Sequence, residues 1–246
     1  MKVIIFGALS GIAREISRIY AKKNAQLVLV GRNEERLRQE ADDLRERGAD
    51  TCMIWPLDLT DVDNQTVFPN IVEALGGNID YIYITYGSLG DQYKSEQNID
   101  LAREIIKVNF QSAAEWCLLS ANLIEKQNHG TLIVLSSVAG DRGRQSNYIY
   151  GAAKSGLSTL MQGISHRLAA SKAKAILIKL GFVDTPMTAH IEKKGLLWVQ
   201  AEKIAQLLVK AAENTSKPII YMPWYWKYIL LIIRSLPSFI FHKTKL

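Results

Sequence analysis

Hydrophobic and polar positions along the chain fall into two textures that alternate. Short β-branched runs read as strands: Val3 to Phe6, Leu27 to Val30, Ile79 to Thr85, Thr131 to Leu135, Ala175 to Leu180 and Pro218 to Tyr221. Between them, apolar residues recur at helical spacing over Gly11 to Lys23, Glu34 to Arg47, Asp61 to Leu75, Asp100 to Lys126, Tyr148 to Ser171 and Ala201 to Glu213. A third strand is placed ahead of Asp58. Strands this apolar need cover on both faces, and parallel neighbours need a crossover that a hairpin cannot supply. The pattern therefore predicts an α/β fold, a single Rossmann-type doubly wound parallel sheet of about seven strands with helices on both faces. That domain takes residues 1–222, and an amphipathic, hydrophobic tail, expected to be helical, takes 223–246.

Composition narrows the partners. At 246 residues, 48% hydrophobic and 22% charged, the chain has enough apolar surface to cover one large sheet, and disorder is not expected. The net charge of +6 suits an anionic lipid surface or a phosphate-bearing ligand, but the basic residues form no run interleaved with aromatics, so no nucleic-acid partner is expected. Cys52 and Cys117 are the only cysteines, and His129, His166, His190 and His242 are scattered, so neither a metal site nor a disulfide scaffold is expected. The opening Met1 to Gly7 is too short an apolar run for a signal peptide, which makes a cytoplasmic location the expectation.

The first strand runs into Gly7-Ala8-Leu9-Ser10-Gly11-Ile12-Ala13, a glycine turn that opens a helix. Gly7 permits the tight turn, Gly11 lets backbone N–H groups approach a pyrophosphate, and the helix dipole favours the anion. The second strand ends in Gly31-Arg32, where an acidic residue would hold the ribose hydroxyls of NADH; the Arg32 guanidinium suits a 2′-phosphate instead, so NADPH is the expected cofactor, with NADH as the other candidate. The bland reading of Arg32 is an exposed side chain at a strand end. Asp58-Leu59 and Thr85-Tyr86-Gly87 also stand at carboxyl ends of strands, the edge at which open parallel sheets bind ligands.

Tyr150 and Lys154 are one helical turn apart on one face, so the ammonium is expected to lower the phenol's pKa and ready it for proton transfer. Ser136 and Ser137 close a hydrophobic strand earlier in the chain, where a hydroxyl can hold a carbonyl oxygen, and Asn109, within the expected long helix, can carry a relay water toward Lys154. Singly, each has a dull explanation, since buried Ser and Asn residues commonly just satisfy backbone groups.

In order, Gly7-x-x-x-Gly11, Asp58, Asn109, Ser137, Tyr150, Lys154 and Gly181-Phe182-Val183-Asp184-Thr185 resemble the short-chain dehydrogenase/reductase family over essentially residues 1–222. The resemblance implies an NAD(P)(H)-dependent oxidoreductase in which Ser137 and Tyr150 hold the substrate oxygen, Tyr150 acts as acid/base, Lys154 depresses its pKa and binds the nicotinamide ribose, and Val183 and Thr185 meet the carboxamide. By the same resemblance Asn109 holds the proton-relay water. Departures are Ala13 for the third glycine of the turn, Thr85-Tyr86-Gly87 for Asn-Ala-Gly, and Leu180 for the proline before Gly181.

Three stretches, Tyr86 to Asp91, Ser136 to Arg144 with Asn147 to Tyr150, and Tyr225 to Phe241, resemble members of that family that reduce a 2-keto pentose carried on a polyprenyl phosphate in cell-envelope polysaccharide synthesis, after a separate flavin oxidase. Lys227 and Arg234 share a helix face while Trp224, Trp226, Tyr228 and the Ile/Leu cluster wrap the rest, as in a helix lying on an anionic leaflet at the inner membrane face. Burial of the tail against the body or a sister subunit of a homo-oligomer is the competing expectation, and the two can coexist. Arg142 and Arg144 stand where they could meet a substrate phosphate. A reductase of a small soluble ketone and a non-catalytic NADP-binding regulator remain open as alternatives, although a regulator needs no proton donor.

Overall fold

The computed structural model of the chain describes residues 1–189, 191 and 195–244; His190 and the last two residues of the tail lie outside them. The strands are β1 (Lys2–Phe6), β2 (Gln26–Gly31), β3 (Thr51–Pro56), β4 (Tyr81–Ile84), β5 (Thr131–Ser137), β6 (Lys174–Leu180), β7 (Val183–Asp184), β8 (Val199–Gln200) and β9 (Ile219–Met222). The helices are α1 (Gly11–Ala21), α2 (Glu34–Glu46), α3 (Asn64–Ala74), α4 (Gln92–Gln97), α5 (Ile99–Ile106), α6 (Ala113–Gln127), α7 (Tyr148–Arg167), α8 (Ala201–Asn214), α9 (Trp226–Ser235) and α10 (Ser238–Phe241). Seven strands form one parallel sheet in the order β3-β2-β1-β4-β5-β6-β9, and β7 pairs with β8 apart from it. The direction of winding reverses between β1 and β4, which puts the ligand crevice above the carboxyl ends of those two strands.

Alternation along β1 divides the core. Val3 and Ile5 pack with Ile16 and Tyr20 of α1 and Leu208 of α8 on one face, while Ile4 and Phe6 pack with Ile71 of α3, Trp116 of α6 and Leu157 of α7 on the other. Strand β3, for which the sequence pattern gave no clear run, is an edge strand with only Cys52 fully buried, so it lacks the continuous apolar character of its neighbours.

Two expectations need correction. The helix expected over Asp100 to Lys126 is not continuous: α5 gives way at Lys107–Ser112 to a π-helical stretch that carries Asn109, and α6 begins only after it. Such a stretch shifts the helical register by widening the turn, a distortion frequent at functional sites. The tail does not wrap Trp226 in lipid-facing surface. Trp226 and Leu230 are buried against Val138 of the body, with Tyr221, Tyr225, Ile229 and Ile233 around them, because α9 has two apolar faces and one is used here. Its other face, Trp224, Tyr228, Leu231 and Ile232, is exposed at helical spacing. Pro237 then breaks the helix before α10.

Candidate active site

The crevice is built from the β1–α1 turn outward. Gly7 adopts a φ of +78°, and a methyl group there would stand 2.6 Å from the Tyr86 Cβ, so only glycine fits both the backbone and the neighbour. Ser10 caps α1 by accepting from the Ala13 N–H at 3.2 Å, which leaves the helix start facing the crevice. Gly11 lets the chain at Thr185 and Pro186 come close, 3.2 Å from an added methyl to the proline ring. Leu9, Ser10, Gly11 and Ile12 all line the resulting cleft, whose volume is about 540 Å³.

At the far end, Arg32 is 79% exposed and its Nη1 lies 3.7 Å from the Asp58 Oδ2, a loose pair at the surface. Burial alone would raise the Asp58 carboxyl, but hydrogen bonds from the Thr60 N–H and hydroxyl, with Arg32 and Lys107 nearby, outweigh it and hold it below the usual carboxylate range. Arg36, in the first turn of α2, also lines the cleft and supplies a second guanidinium that the sequence reading missed. The Leu59 carbonyl is tied to the Ser112 hydroxyl at 2.6 Å and the Trp116 indole at 3.0 Å, and Tyr86 Oη joins Ser112 at 2.7 Å. Thr85, in place of the family's usual asparagine, donates to the Phe6 carbonyl at 2.7 Å and so knits β4 to β1.

Ser137, Tyr150, Lys154 and Gly87 line the centre of the cleft, and Asn109 lies buried beside Gly87 without lining it. A methyl on Gly87 would lie 2.7 Å from Asn109 Oδ1 and 3.3 Å from Lys154 Nζ, so this glycine is required by close approach. The Asn109 amide donates to the Ser88 and Ile105 carbonyls at 2.7 and 2.8 Å and accepts from the Ser88 N–H, which pins the loop after β4 beside Lys154. Lys154 Nζ donates to the Leu135 carbonyl at 3.2 Å and lies 5.8 Å from the Tyr150 ring centroid. Burial disfavours its ammonium and brings the lysine down to about 8.

Tyr150 departs from the expected depression of its pKa. Burial of the phenolate dominates and pushes the phenol up to about 12, with the Ser137 hydroxyl acting the other way. At neutral pH Tyr150 therefore holds its proton, as a donor must. Both serines line the cleft, but the Ser136 hydroxyl is spent on the Lys154 carbonyl and the Ser158 hydroxyl, whereas the Ser137 hydroxyl faces Tyr150.

The family described as short chain dehydrogenase matches residues 1–195. The chain belongs to the short-chain dehydrogenase family. An uncharacterised oxidoreductase of Mycobacterium tuberculosis is 30% identical over 98% of this chain and 96% of its own length, and one of Staphylococcus epidermidis is 31% identical over 87% and 91%. Among solved structures, a short-chain type dehydrogenase/reductase from Mycobacterium ulcerans superimposes with a TM-score of 0.80 at 18% identity over 95% of each chain. Levodione reductase does so with 0.78 at 19% over 90% of this chain and 95% of its own.

As a short-chain dehydrogenase the protein is an oxidoreductase, and the family binds NAD(P)(H). The residues present fit such a nucleotide: Leu9 to Ile12 at the start of α1 would take the pyrophosphate, Gly87 lines the cleft beyond them, and Tyr150, Lys154, Val183 and Thr185, which also line it, would meet the nicotinamide end, whereas Gly7, Asp58 and Leu59, expected at the cofactor, are not among the lining residues. Val183 is buried in the core, and the Thr188 hydroxyl donates to its carbonyl at 2.7 Å while accepting from the Thr185 N–H at 3.2 Å, so this loop is held by its own Thr185-x-x-Thr188 hydrogen bonds. The tail packs behind the same wall. Trp226 packs edge-on against Phe182 with ring centroids 5.1 Å apart, and Phe182 lines the cleft. No sequence signal tied residue 226 to the active site.

A second cavity, of about 570 Å³, lies outside the cleft between α7, β6, β9 and α9. Lys217, Lys227 and Arg234 line it, and at its edge Lys179 pairs with Asp141, which also accepts from the Tyr221 hydroxyl at 2.7 Å.

Proposed function

We propose that this short-chain dehydrogenase reduces the 2-keto group of a pentose carried on a polyprenyl phosphate, with NADPH, in cell-envelope precursor synthesis. The observation that carries the reading is the meeting of Ser137, Tyr150 and Lys154 in one cleft; the preference for reduction rests on the family resemblance and on Arg32. The bound nicotinamide supplies the hydride. The Ser137 and Tyr150 hydroxyls hold the carbonyl oxygen, and Tyr150 gives its proton to the alkoxide as it forms. Lys154 stabilises the phenolate left behind, and a water held near Asn109 returns the proton. Arg32 and Arg36 favour the 2′-phosphate of NADPH.

Support for a lipid-borne substrate comes from the tail. Its inner face abuts the cleft wall at Phe182, and its outer face presents Trp224, Tyr228, Leu231 and Ile232 beside Lys227 and Arg234. Apolar side chains with neighbouring cations suit an anionic leaflet. Among the described residues no helix is long and apolar enough to cross a membrane. The substrate would come from a separate flavin oxidase acting on the ribose form.

The test is NADPH oxidation by the full-length protein in detergent, with the polyprenylphosphoryl 2-keto pentose generated in place by such an oxidase. Arabinose-configured product supports the reading. Reduction of water-soluble ketones alone keeps the reductase and discards the lipid-linked substrate.

A further inference from the structure

Arg142 and Arg144 share the loop after β5, and the structure gives them opposite surroundings. The Arg142 Nη1 donates to the Ile233, Arg234 and Leu236 carbonyls, and its guanidinium lies 3.8 Å from the Phe241 ring centroid, so it fastens the tail. Arg144 is only 8% exposed and lines the catalytic cleft with Asn147, Ser137 and Tyr150. Its Nε and Nη2 are sealed from solvent and find no hydrogen-bond partner, and among the described residues no carboxylate lies within ion-pair distance of it. Asp141, the acid closest in sequence, is occupied by Lys179 and Tyr221. The Asn147 Oδ1 is likewise buried and unpaired.

A guanidinium that is desolvated and unpaired destabilises the fold that holds it, so its position calls for an anion. The nucleotide's phosphates are met elsewhere, at the Gly7 to Ile12 turn and near Arg32 and Arg36. Arg144 stands on the loop between Ser137 and Tyr150, the side of the cleft that holds the carbonyl. We propose that Arg144 is the anion-recognising residue of the substrate pocket, its planar fork receiving two phosphoryl oxygens and selecting phosphorylated substrates over uncharged ones. This rests on the cleft being the substrate site of the proposed reductase. A lipid-borne phosphate and a free sugar phosphate present the same oxygens to the fork.

The test is calorimetric binding to the NADP⁺-loaded, full-length enzyme, which holds no hydride to give, of two matched pairs, farnesyl phosphate against farnesol and ribulose 5-phosphate against ribulose. Wild type is expected to favour the phosphorylated member of at least one pair about tenfold or more, as a charge-assisted pair of hydrogen bonds requires. Preference confined to the farnesyl pair assigns the phosphate to a lipid, and preference confined to the ribulose pair assigns it to a soluble sugar. Arg144→Met is expected to abolish the preference and to raise Tm, the opposite of what a residue kept for structure would do, while Arg144→Lys retains part of the preference. Equal affinity within both pairs in wild type, or an Arg144→Met preference equal to the wild-type one, overturns the proposal. Binding is read without turnover, so an enzyme that reduces no ketone yet binds phosphate through Arg144 refutes the reaction and keeps the subsite.

Discussion

The α-carbon of Gly181 lies against the indole of Trp226, so close that a methyl group there would stand 1.8 Å from Nε1. Strand β6 ends at this contact, and the loop carrying Val183 and Thr185 begins there. The tail thus backs the wall of the site, with consequences for stability and for lipid binding that can be measured separately.

Trp226→Ala removes a buried indole that touches Phe182 and the body. A loss of about 3–5 kcal/mol is expected from the cavity left behind, together with a raised KM from the displaced Phe182. Chemical denaturation and steady-state kinetics check both.

The opposite face of α9 makes a contrasting prediction. Leu231→Glu with Ile232→Glu changes only exposed side chains, so the denaturation midpoint should stay near that of wild type, while cosedimentation with anionic vesicles should fall several-fold. Unchanged cosedimentation would remove the membrane from the proposed function.

Cofactor choice turns on two guanidinium groups. Wild type is expected to have a higher kcat/KM with NADPH than with NADH, and Arg32→Ala with Arg36→Ala is expected to cut that ratio by about 10- to 100-fold, the loss of one or two charge-assisted hydrogen bonds. A wild-type preference for NADH contradicts the assignment.

Lys154 links stability to pH. Its folded value, about 8, lies below the ordinary 10.5 because burial disfavours the ammonium. Between these values the unfolded chain holds more protons than the folded one, so stability rises with pH across the window, and the gain is lost as pH falls through 8. From pH 7 to 9 it amounts to about 1 kcal/mol. Denaturation of the nucleotide-free enzyme should show wild type gaining on Lys154→Met over that range; parallel behaviour would contradict the burial of the charge. In catalysis, reduction should slow as pH rises past 8, because Lys154 loses its charge while Tyr150 remains protonated.

Much of this was legible in the chain. The β-branched runs marked six strands, five of them central parallel strands that are apolar throughout and the sixth the edge strand β9, and Gly7, Gly11, Ser137, Tyr150 and Lys154 converge in the structure because their spacing follows strand ends and one helix turn. Edge strand β3 was less distinct because only Cys52 of it is buried, and the polar or half-exposed positions around it break the apolar run. The π-helical stretch around Asn109 has no periodic signature that separates it from an ordinary helix. The rise of Tyr150 above its ordinary pKa depends on burial, a three-dimensional quantity, and so do the contrast between Arg142 and Arg144 and the docking of Trp226 against Gly181.

The central claim is that Tyr150 donates the proton that completes ketone reduction, and single-turnover reduction by Tyr150→Phe tests it most directly. With the NADPH-bound enzyme and a substrate that wild type reduces, the account predicts a fall in rate of about 10²- to 10⁴-fold with little change in NADPH affinity. Reduction by Tyr150→Phe at the wild-type rate would contradict it.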